Sequence, residues 1–255
     1  MILGSGDIGM IMARRMTLEG AKVLGVFEIQ PYASGLPRNI EQCLNDYQIP
    51  LHLSHSVTEI RGVDRLESVV ISEVDDRLQP IPGTEKEYPC DTLILSVGLI
   101  PENELTWMAG AKQDDGTKGA SVDENFQTTV PGVFAAGNVL HVHDLVDFVS
   151  MEAEELADGA ARYIKEGALP DCGLAITGDS MVGQLTPARF SGTGNVTVSF
   201  RMRKPVRNCT VELWQGDHLV KQKKFPKALP AEMIQIGLKP EELNEKDNLE
   251  VRVVC

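Results

Sequence analysis

A glycine-rich turn close to the first residue constrains the fold more than any other feature. It follows the short apolar segment Met1–Leu3 and reads Gly4-Ser5-Gly6-Asp7-Ile8-Gly9. Residues 8–19 then carry apolar side chains at helical spacing, and Gly20 is suited to end a helix. Residues 22–27 predict a second strand. The order strand, glycine turn, helix, strand predicts a Rossmann-like unit that binds a dinucleotide.

Each glycine of the turn has its own expected role. Gly4 permits the tight turn, Gly6 lets a pyrophosphate approach the backbone, and Gly9 lets the helix pack closely on the sheet. The backbone N–H groups of the first helical turn, at Asp7 and Ile8, would face the phosphates. All five residues are therefore candidates for cofactor binding.

Glu28 ends the predicted second strand, where a carboxylate can accept hydrogen bonds from a ribose 2′-hydroxyl. The same carboxylate would repel a 2′-phosphate, and the following Ile29 and Gln30 are not basic. The sequence therefore favours NAD(H) over NADP(H). The alternative is a glycine turn in an unrelated α/β protein, with Glu28 only solvated.

The residue pattern divides the chain of 255 residues into three regions. Residues 1–97 predict the NAD(P)-binding Rossmann-like domain, which includes an antiparallel meander that returns to the sheet through residues 92–97. Residues 98–168 contain a predicted strand over 133–136 and a long helix over 144–164. Residues 169–255 carry short strand-like segments and predict a small β-sandwich with an immunoglobulin-like pattern.

Composition excludes several classes of partner. The net charge of −13 argues against nucleic acid and anionic membranes. No apolar run approaches the length of a membrane span, and no signal peptide is evident. The five cysteines form no C-x-x-C pair, which favours reduced thiols in a cytoplasmic protein and argues against a cysteine zinc site.

Three motifs together resemble the pyridine nucleotide–disulfide oxidoreductase superfamily, in its form with two dinucleotide-binding domains. The first is the glycine turn with Glu28. The second is similar to the segment that crosses back from the NAD domain to the FAD domain, and it reads Thr92-Leu93-Ile94-Leu95-Ser96-Val97-Gly98-Leu99-Ile100-Pro101. The third is similar to the second FAD motif and reads Thr129-Val130-Pro131-Gly132-Val133-Phe134-Ala135-Ala136-Gly137-Asn138.

The resemblance implies an α/β fold with a Rossmann-like NAD-binding domain, a partial FAD-binding domain over 98–168 and a following all-β sandwich. It implies hydride transfer between NADH and a bound flavin, with flavin contacts at Gly98, Gly137, Asn138 and His143. The helix that begins near Asp144 would direct its positive end toward the flavin. The cofactors implied are NAD(H) and FAD.

The chain departs from the family pattern in three ways. Position 138 is Asn where the family has Asp, so a hydrogen bond to the ribityl chain would survive without the charge. The redox cysteine pair is missing. The first FAD glycine motif is also missing, and only Met1–Leu3 precede the turn, where a buried α-amino group would be costly. We therefore expect an N-terminally truncated member whose FAD site is incomplete.

His141 and His143 follow the third motif and would share one face of a strand. Structural hydrogen bonding, contact with the flavin and metal ligation all remain open for them, but no third metal ligand is evident and no metal site is predicted. Asp144 and Asp147 are expected to cap the following helix. No residue is assigned as catalytic.

Basic residues are concentrated in the last region, at positions 201, 203, 204, 207, 221, 223, 224 and 227. The preferred interpretation is a solvent-facing side of an antiparallel sheet. The alternative is a docking face, either for an acidic subunit or for the chain's own acidic part.

The leading functional hypothesis is an oxidoreductase fragment that relays electrons to a partner flavoprotein or a small acceptor. The second is a non-catalytic NAD(H)-binding and assembly module.

Overall fold

The computed structural model describes all 255 residues and divides them into two compact units, Met1–Gly98 and Leu99–Cys255. None of the helices has the length and apolar character needed to cross a membrane. All five cysteines are free thiols, as predicted.

The first unit is built on a four-stranded parallel sheet. Its elements in chain order are β1 (Ile2–Leu3), α1 (Asp7–Leu18), β2 (Val26–Glu28), α2 (Pro37–Asn39), β3 (Leu51–Leu53), β4 (His55–Arg61), β5 (Ser68–Glu73), β6 (Lys86–Pro89) and β7 (Ile94–Leu95). The sheet order is β3-β2-β1-β7, so the strand before the glycine turn is central. Met10 and Ala13 of α1 are fully buried in the same cluster as Ile2 and Val26.

The second predicted strand is shorter than expected. Val26 pairs with Ile2, which is the first residue of β1. Residues 22–24 therefore precede the part of the chain that pairs with β1, and β2 begins only at Val26. The antiparallel meander consists of β4, β5 and β6. The stretch Thr92–Val97 contributes β7 to the parallel sheet, where Ile94 pairs with Ile2.

The second unit combines two helices with two sheets. Its elements are α3 (Glu104–Met108), α4 (Val146–Glu166), β8 (Leu174–Gly178), β9 (Val182–Thr186), β10 (Arg189–Phe190), β11 (Val196–Met202), β12 (Val206–Gln215), β13 (His218–Ala228), β14 (Ile234–Leu238) and β15 (Leu249–Val254). One sheet has the order β10-β8-β15-β12-β13 and the other β14-β11-β9. Val198, Phe200, Leu213 and Val251 are fully buried and belong to one hydrophobic cluster of both sheets.

One local prediction for this unit was wrong. The strand predicted over 133–136 is reduced to one isolated antiparallel bridge between Phe134 and Gln127, in which the Ala135 N–H donates to the Phe126 carbonyl and the Thr128 N–H to the Val133 carbonyl. The long helix predicted over 144–164 is confirmed as Val146–Glu166, and Gly167, with a φ of +79°, terminates it as a left-handed cap. The strands β8, β9 and β10 were not predicted, since their sequences alternate poorly and contain glycine and proline nearby.

Candidate functional site

The glycine turn connects β1 to α1 and leaves no room for a side chain at its first position. Gly4 has φ +97°, and its N–H donates to the carbonyl of Phe27 at 2.7 Å. A Cβ on Gly4 would lie 2.1 Å from the carbonyl oxygen of Ser96. A Cβ on Gly9 would lie 2.7 Å from the carbonyl oxygen of Gly4, so α1 sits directly against the turn. These two glycines are required by packing.

Gly6 differs from the other two glycines of the motif, Gly4 and Gly9. The nearest atoms to a Cβ at this position are in Ser96, at 3.7 Å and beyond, which is ordinary van der Waals contact. Gly6 is the N-cap of α1, and no side chain caps the helix there. The protein's own packing therefore does not demand glycine at position 6. A close approach by phosphate oxygens to the helix N–H groups fits this arrangement.

Glu28 is the last residue of β2 and is only 4% exposed. Its Oε2 accepts hydrogen bonds from the Ser5 N–H at 2.9 Å, the Ser5 hydroxyl at 2.5 Å and the Ser34 hydroxyl at 3.0 Å. Its Oε1 accepts from the Gln30 N–H at 2.9 Å. The carboxylate thus lies beside the glycine turn, and Oε1 has the greater remaining capacity to accept a ribose hydroxyl.

The loop after β2 folds back onto the glycine turn, which the sequence did not reveal. Gly35 N–H donates to the Ser5 carbonyl at 3.0 Å. Asp7 Oδ1 accepts from the Leu36 N–H and from Asn39 Nδ2, both at 2.7 Å. The carboxylate of Asp7 is therefore engaged with this loop. The side chain of Ile8 is 69% exposed at the start of α1.

Gly98 ends the first unit with φ +101° and open space around the position of a Cβ. Glycine is thus favoured there by backbone conformation.

The residues predicted to contact the flavin lie in a short helical turn before α4. Gly137 has φ +72°, and its N–H donates to Glu152 Oε1 at 2.6 Å. Asn138 Oδ1 accepts from the backbone N–H of His143 at 3.2 Å and lies 3.3 Å from His143 Nδ1. Because the carbonyl of Asn138 is engaged, its amide nitrogen is the group left for a ligand. A flavin hydroxyl can accept from it, so the residues fit this cofactor as a donor rather than an acceptor.

His141 and His143 converge on a single carboxylate oxygen. Their Nε2 atoms lie 2.8 and 3.0 Å from Glu152 Oε2, and their ring centroids are 4.2 Å apart. The three side chains are 0%, 3% and 9% exposed. Burial opposes ionisation of Glu152, but hydrogen bonds from both histidines and from Gly137 outweigh it and lower the pKa of the carboxyl to about 2.

These contacts correct three predictions. The histidines do not lie on a strand, and their shared direction comes from the turn at residues 137–139. Asp144 does not cap α4, whose N-cap is Leu145 without a side-chain cap, although Asp147 lies in the first helical turn. A third potential metal ligand is present, since Glu152 groups with the two histidines. Glu152 was missed although it occupies the buried side of α4 together with Gly159.

Arg201 on β11 connects the sheets to the histidine segment. Its guanidinium donates to the Val142 carbonyl at 3.0 Å, to the Pro230 carbonyl at 3.1 Å and to the carboxylate of Asp144. The other oxygen of Asp144 accepts from the Met233 N–H at 2.8 Å. One member of the basic group therefore docks on the chain's own acidic part, whereas Arg207, Lys224 and Lys227 are exposed.

Comparisons with known proteins assign the chain to a family. A family model described as pyridine nucleotide-disulphide oxidoreductase matches residues 1–162. An NADH oxidase of Methanocaldococcus jannaschii is 27% identical over 220 residues, which are 80% of this chain and 44% of that protein. The small chain of the NADPH glutamate synthase of Escherichia coli K12 is 24% identical over 182 residues, 64% of this chain and 38% of that protein.

Among solved structures, a thioredoxin reductase of Lactococcus lactis is similar with a TM-score of 0.56 and 20% identity, covering 65% of this chain and 52% of that chain. This likeness supports the mixed α/β fold with its parallel and antiparallel sheets. The chain spans less than half the length of the two curated relatives.

Proposed function

Because the chain belongs to the pyridine nucleotide-disulphide oxidoreductase family, we propose that it is part of an FAD-dependent enzyme that transfers hydride between NADH and a bound flavin. The two cofactors supply the hydride chemistry, and the protein binds and orients them. The observation that carries the proposal is the lack of any tight contact at Gly6 beside the uncapped start of α1, with Glu28 held against the same turn.

In this proposal the first helical turn, from Asp7 to Gly9, stabilises the phosphates through its N–H groups and helix dipole. Glu28 accepts a hydrogen bond from the adenosine ribose through Oε1. A 2′-phosphate at that place would meet a buried carboxylate, so NADH is bound in preference to NADPH. Gly98, Gly137, Asn138 and His143 serve the flavin.

Replacing Gly6 by valine tests the nucleotide site. The Cβ of the new side chain meets only ordinary contacts with Ser96, at 3.7 Å and beyond, so the unfolding temperature is expected to change little, whereas the approach of the phosphates is blocked. NADH affinity should fall by at least about tenfold, or 1.4 kcal/mol. Isothermal titration calorimetry of the full chain with NADH and NADPH measures both the loss and the cofactor preference.

Gly237→Ala is the matched control, because no atom lies within 4 Å of a Cβ there and the residue is remote from the turn in sequence. It should keep the affinity of the unchanged chain. Equal NADH affinity of the Gly6→Val and unchanged chains would contradict the assignment of the turn.

We propose that the flavin site is incomplete within these residues. The sequence contains one dinucleotide glycine motif, and the motif at residues 129–138 would contact only part of the flavin cofactor. The purified chain is expected to be colourless or to hold flavin well below one equivalent, and to bind NADH. Visible absorbance after incubation with FAD and desalting measures this. Retention of one equivalent of FAD would overturn the proposed incompleteness.

The same sample distinguishes the proposed function, hydride transfer, from the alternative, a non-catalytic module for NAD(H) binding and assembly. The chain is supplied with excess FAD, and NADH is added in the absence of oxygen. If the chain transfers hydride, the flavin absorbance should decrease faster than it does for free FAD with NADH. Binding of NADH without any acceleration would favour the assembly module. A cytoplasmic location, supported by the unpaired cysteines, and relay of electrons to a partner flavoprotein or a small acceptor, supported by the family resemblance, complete the proposal.

A further inference from the structure

We propose that His141, His143 and Glu152 form a binding site for one divalent transition-metal ion. Two imidazoles and a carboxylate meet with their ligand atoms within 4.8 Å of one another. All three side chains are at least nine-tenths buried. The site lies in the second unit, whereas the nucleotide turn belongs to the first.

The hydrogen bonds of His143 require a positive charge inside this cluster. Asn138 Oδ1 accepts from the backbone N–H of His143, which fixes the orientation of the amide. The same oxygen faces His143 Nδ1, so Nδ1 must carry the proton. Nε2 of a neutral His143 then carries no proton, and its lone pair faces Glu152 Oε2 at 3.0 Å. Two electron-rich atoms at this distance repel each other unless a cation lies between them.

A metal ion satisfies this requirement with the geometry present. Metal ions of the zinc type bind imidazole nitrogen and carboxylate oxygen at about 2.0–2.2 Å, which places neighbouring ligand atoms roughly 3–3.5 Å apart. The two Nε2 to Oε2 distances, 2.8 and 3.0 Å, are close to that separation. The ligand atoms all lie within 4.8 Å of one another, so binding draws together side chains that already point to one place.

The surroundings of the cluster resemble the outer partners that orient metal ligands. A ligating histidine donates its other ring N–H to an acceptor, as His143 does to Asn138. Glu152 uses Oε1 for the Gly137 N–H, which leaves Oε2 for the ion. Arg201 holds the carbonyl of Val142 between the two histidines.

Hydrogen bonding alone does not account for the burial of His141. Its Nδ1 is buried without a partner, although buried polar atoms are nearly always paired. Two imidazoles and one carboxylate favour zinc, iron, cobalt or manganese over calcium or magnesium, and they leave coordination positions for water or a ligand.

The test is a titration of the full chain, without a histidine tag and after removal of metals with EDTA. Co²⁺ is the first probe, because its visible absorption reports ligation directly. We expect one equivalent to bind with the appearance of these bands, and Zn²⁺ to displace it. Zn²⁺ should also raise the unfolding temperature, because an ion that binds only the folded chain stabilises it.

Variants assign the site. Glu152→Gln and His143→Ala should weaken Co²⁺ binding by more than about 100-fold, and Asn138→Ala, which removes only the outer partner, by about 10–100-fold. Glu154→Gln on an exposed position of α4 is the matched control and should bind as the unchanged chain does. Circular dichroism identifies any variant that does not fold, and His143→Gln then replaces it.

Two results would overturn the proposal. The first is a folded, metal-free chain that binds none of Co²⁺, Zn²⁺, Mn²⁺ or, without oxygen, Fe²⁺, which would leave a proton as the cation between His143 and Glu152. The second is binding that keeps its affinity in both Glu152→Gln and His143→Ala, which would place the ion elsewhere.

Discussion

Replacing Gly4 by alanine is expected to destabilise the chain by about 2–5 kcal/mol and to remove NADH binding. A non-glycine residue at a φ of +97° costs about 1–2 kcal/mol. The new methyl group would lie 2.1 Å from the Ser96 carbonyl oxygen, and relief of such overpacking costs about 1–3 kcal/mol more. Because Ser96 N–H is bonded to the Leu3 carbonyl at 2.7 Å, any shift disturbs the central strand. Urea unfolding and NADH titration measure both effects.

Gly20→Ala separates the two causes. Gly20 has φ +90° at the end of α1, but no atom lies within 4 Å of a Cβ there. It should therefore lose only the conformational part, about 1–2 kcal/mol, and keep NADH binding. Equal losses in the two variants would show that the close contact with Ser96 is unimportant for stability.

Replacing Arg201 by alanine is expected to cost about 2–4 kcal/mol, since hydrogen bonds of charged groups contribute about 1.5–3 kcal/mol and a half-buried partner is left unpaired. The side chains of Arg201 and Asp144 are 14% and 26% exposed. The loss should be accompanied by faster proteolysis of the segment around Val142, whose carbonyl loses its donor. Denaturant unfolding and limited proteolysis check this.

Lys224→Ala is the control for charge, because Lys224 is an exposed residue of β13. Its effect should stay within about 0.5 kcal/mol. If the Arg201→Ala variant were as stable as this control, the contacts to Asp144 and to the two carbonyls would have no net energetic value.

The sequence predicted what depends on short separations along the chain. The glycine turn, α1 and the strands on either side follow from a motif of six residues and its flanking segments, and the structure confirms them. Short strands such as β11 and β15 were also predicted for the last region, because their apolar residues alternate between clear turns.

Contacts between distant residues were not predictable in the same way. Glu152 is one of three glutamates within four positions, and only the phase of α4 decides which of them is buried. A signal was present: Phe148, Glu152 and Leu156 recur at helical spacing, which puts a carboxylate in an apolar stripe. The contacts of Arg201 with Val142 and Asp144 span 57 to 59 residues, and no local pattern indicates them.

The contact between Arg201 and the Val142 carbonyl makes the segment from Gly137 to Asp144 sensitive to length rather than to side-chain identity at its centre. The guanidinium binds a backbone oxygen, which every amino acid offers. Substitutions at Val142 should therefore be tolerated, whereas insertion or deletion of one residue between the two histidines would move this oxygen away from Arg201 and one imidazole away from Glu152. Related chains that keep the cluster should vary freely at this position while holding the number of residues between His141 and His143 constant.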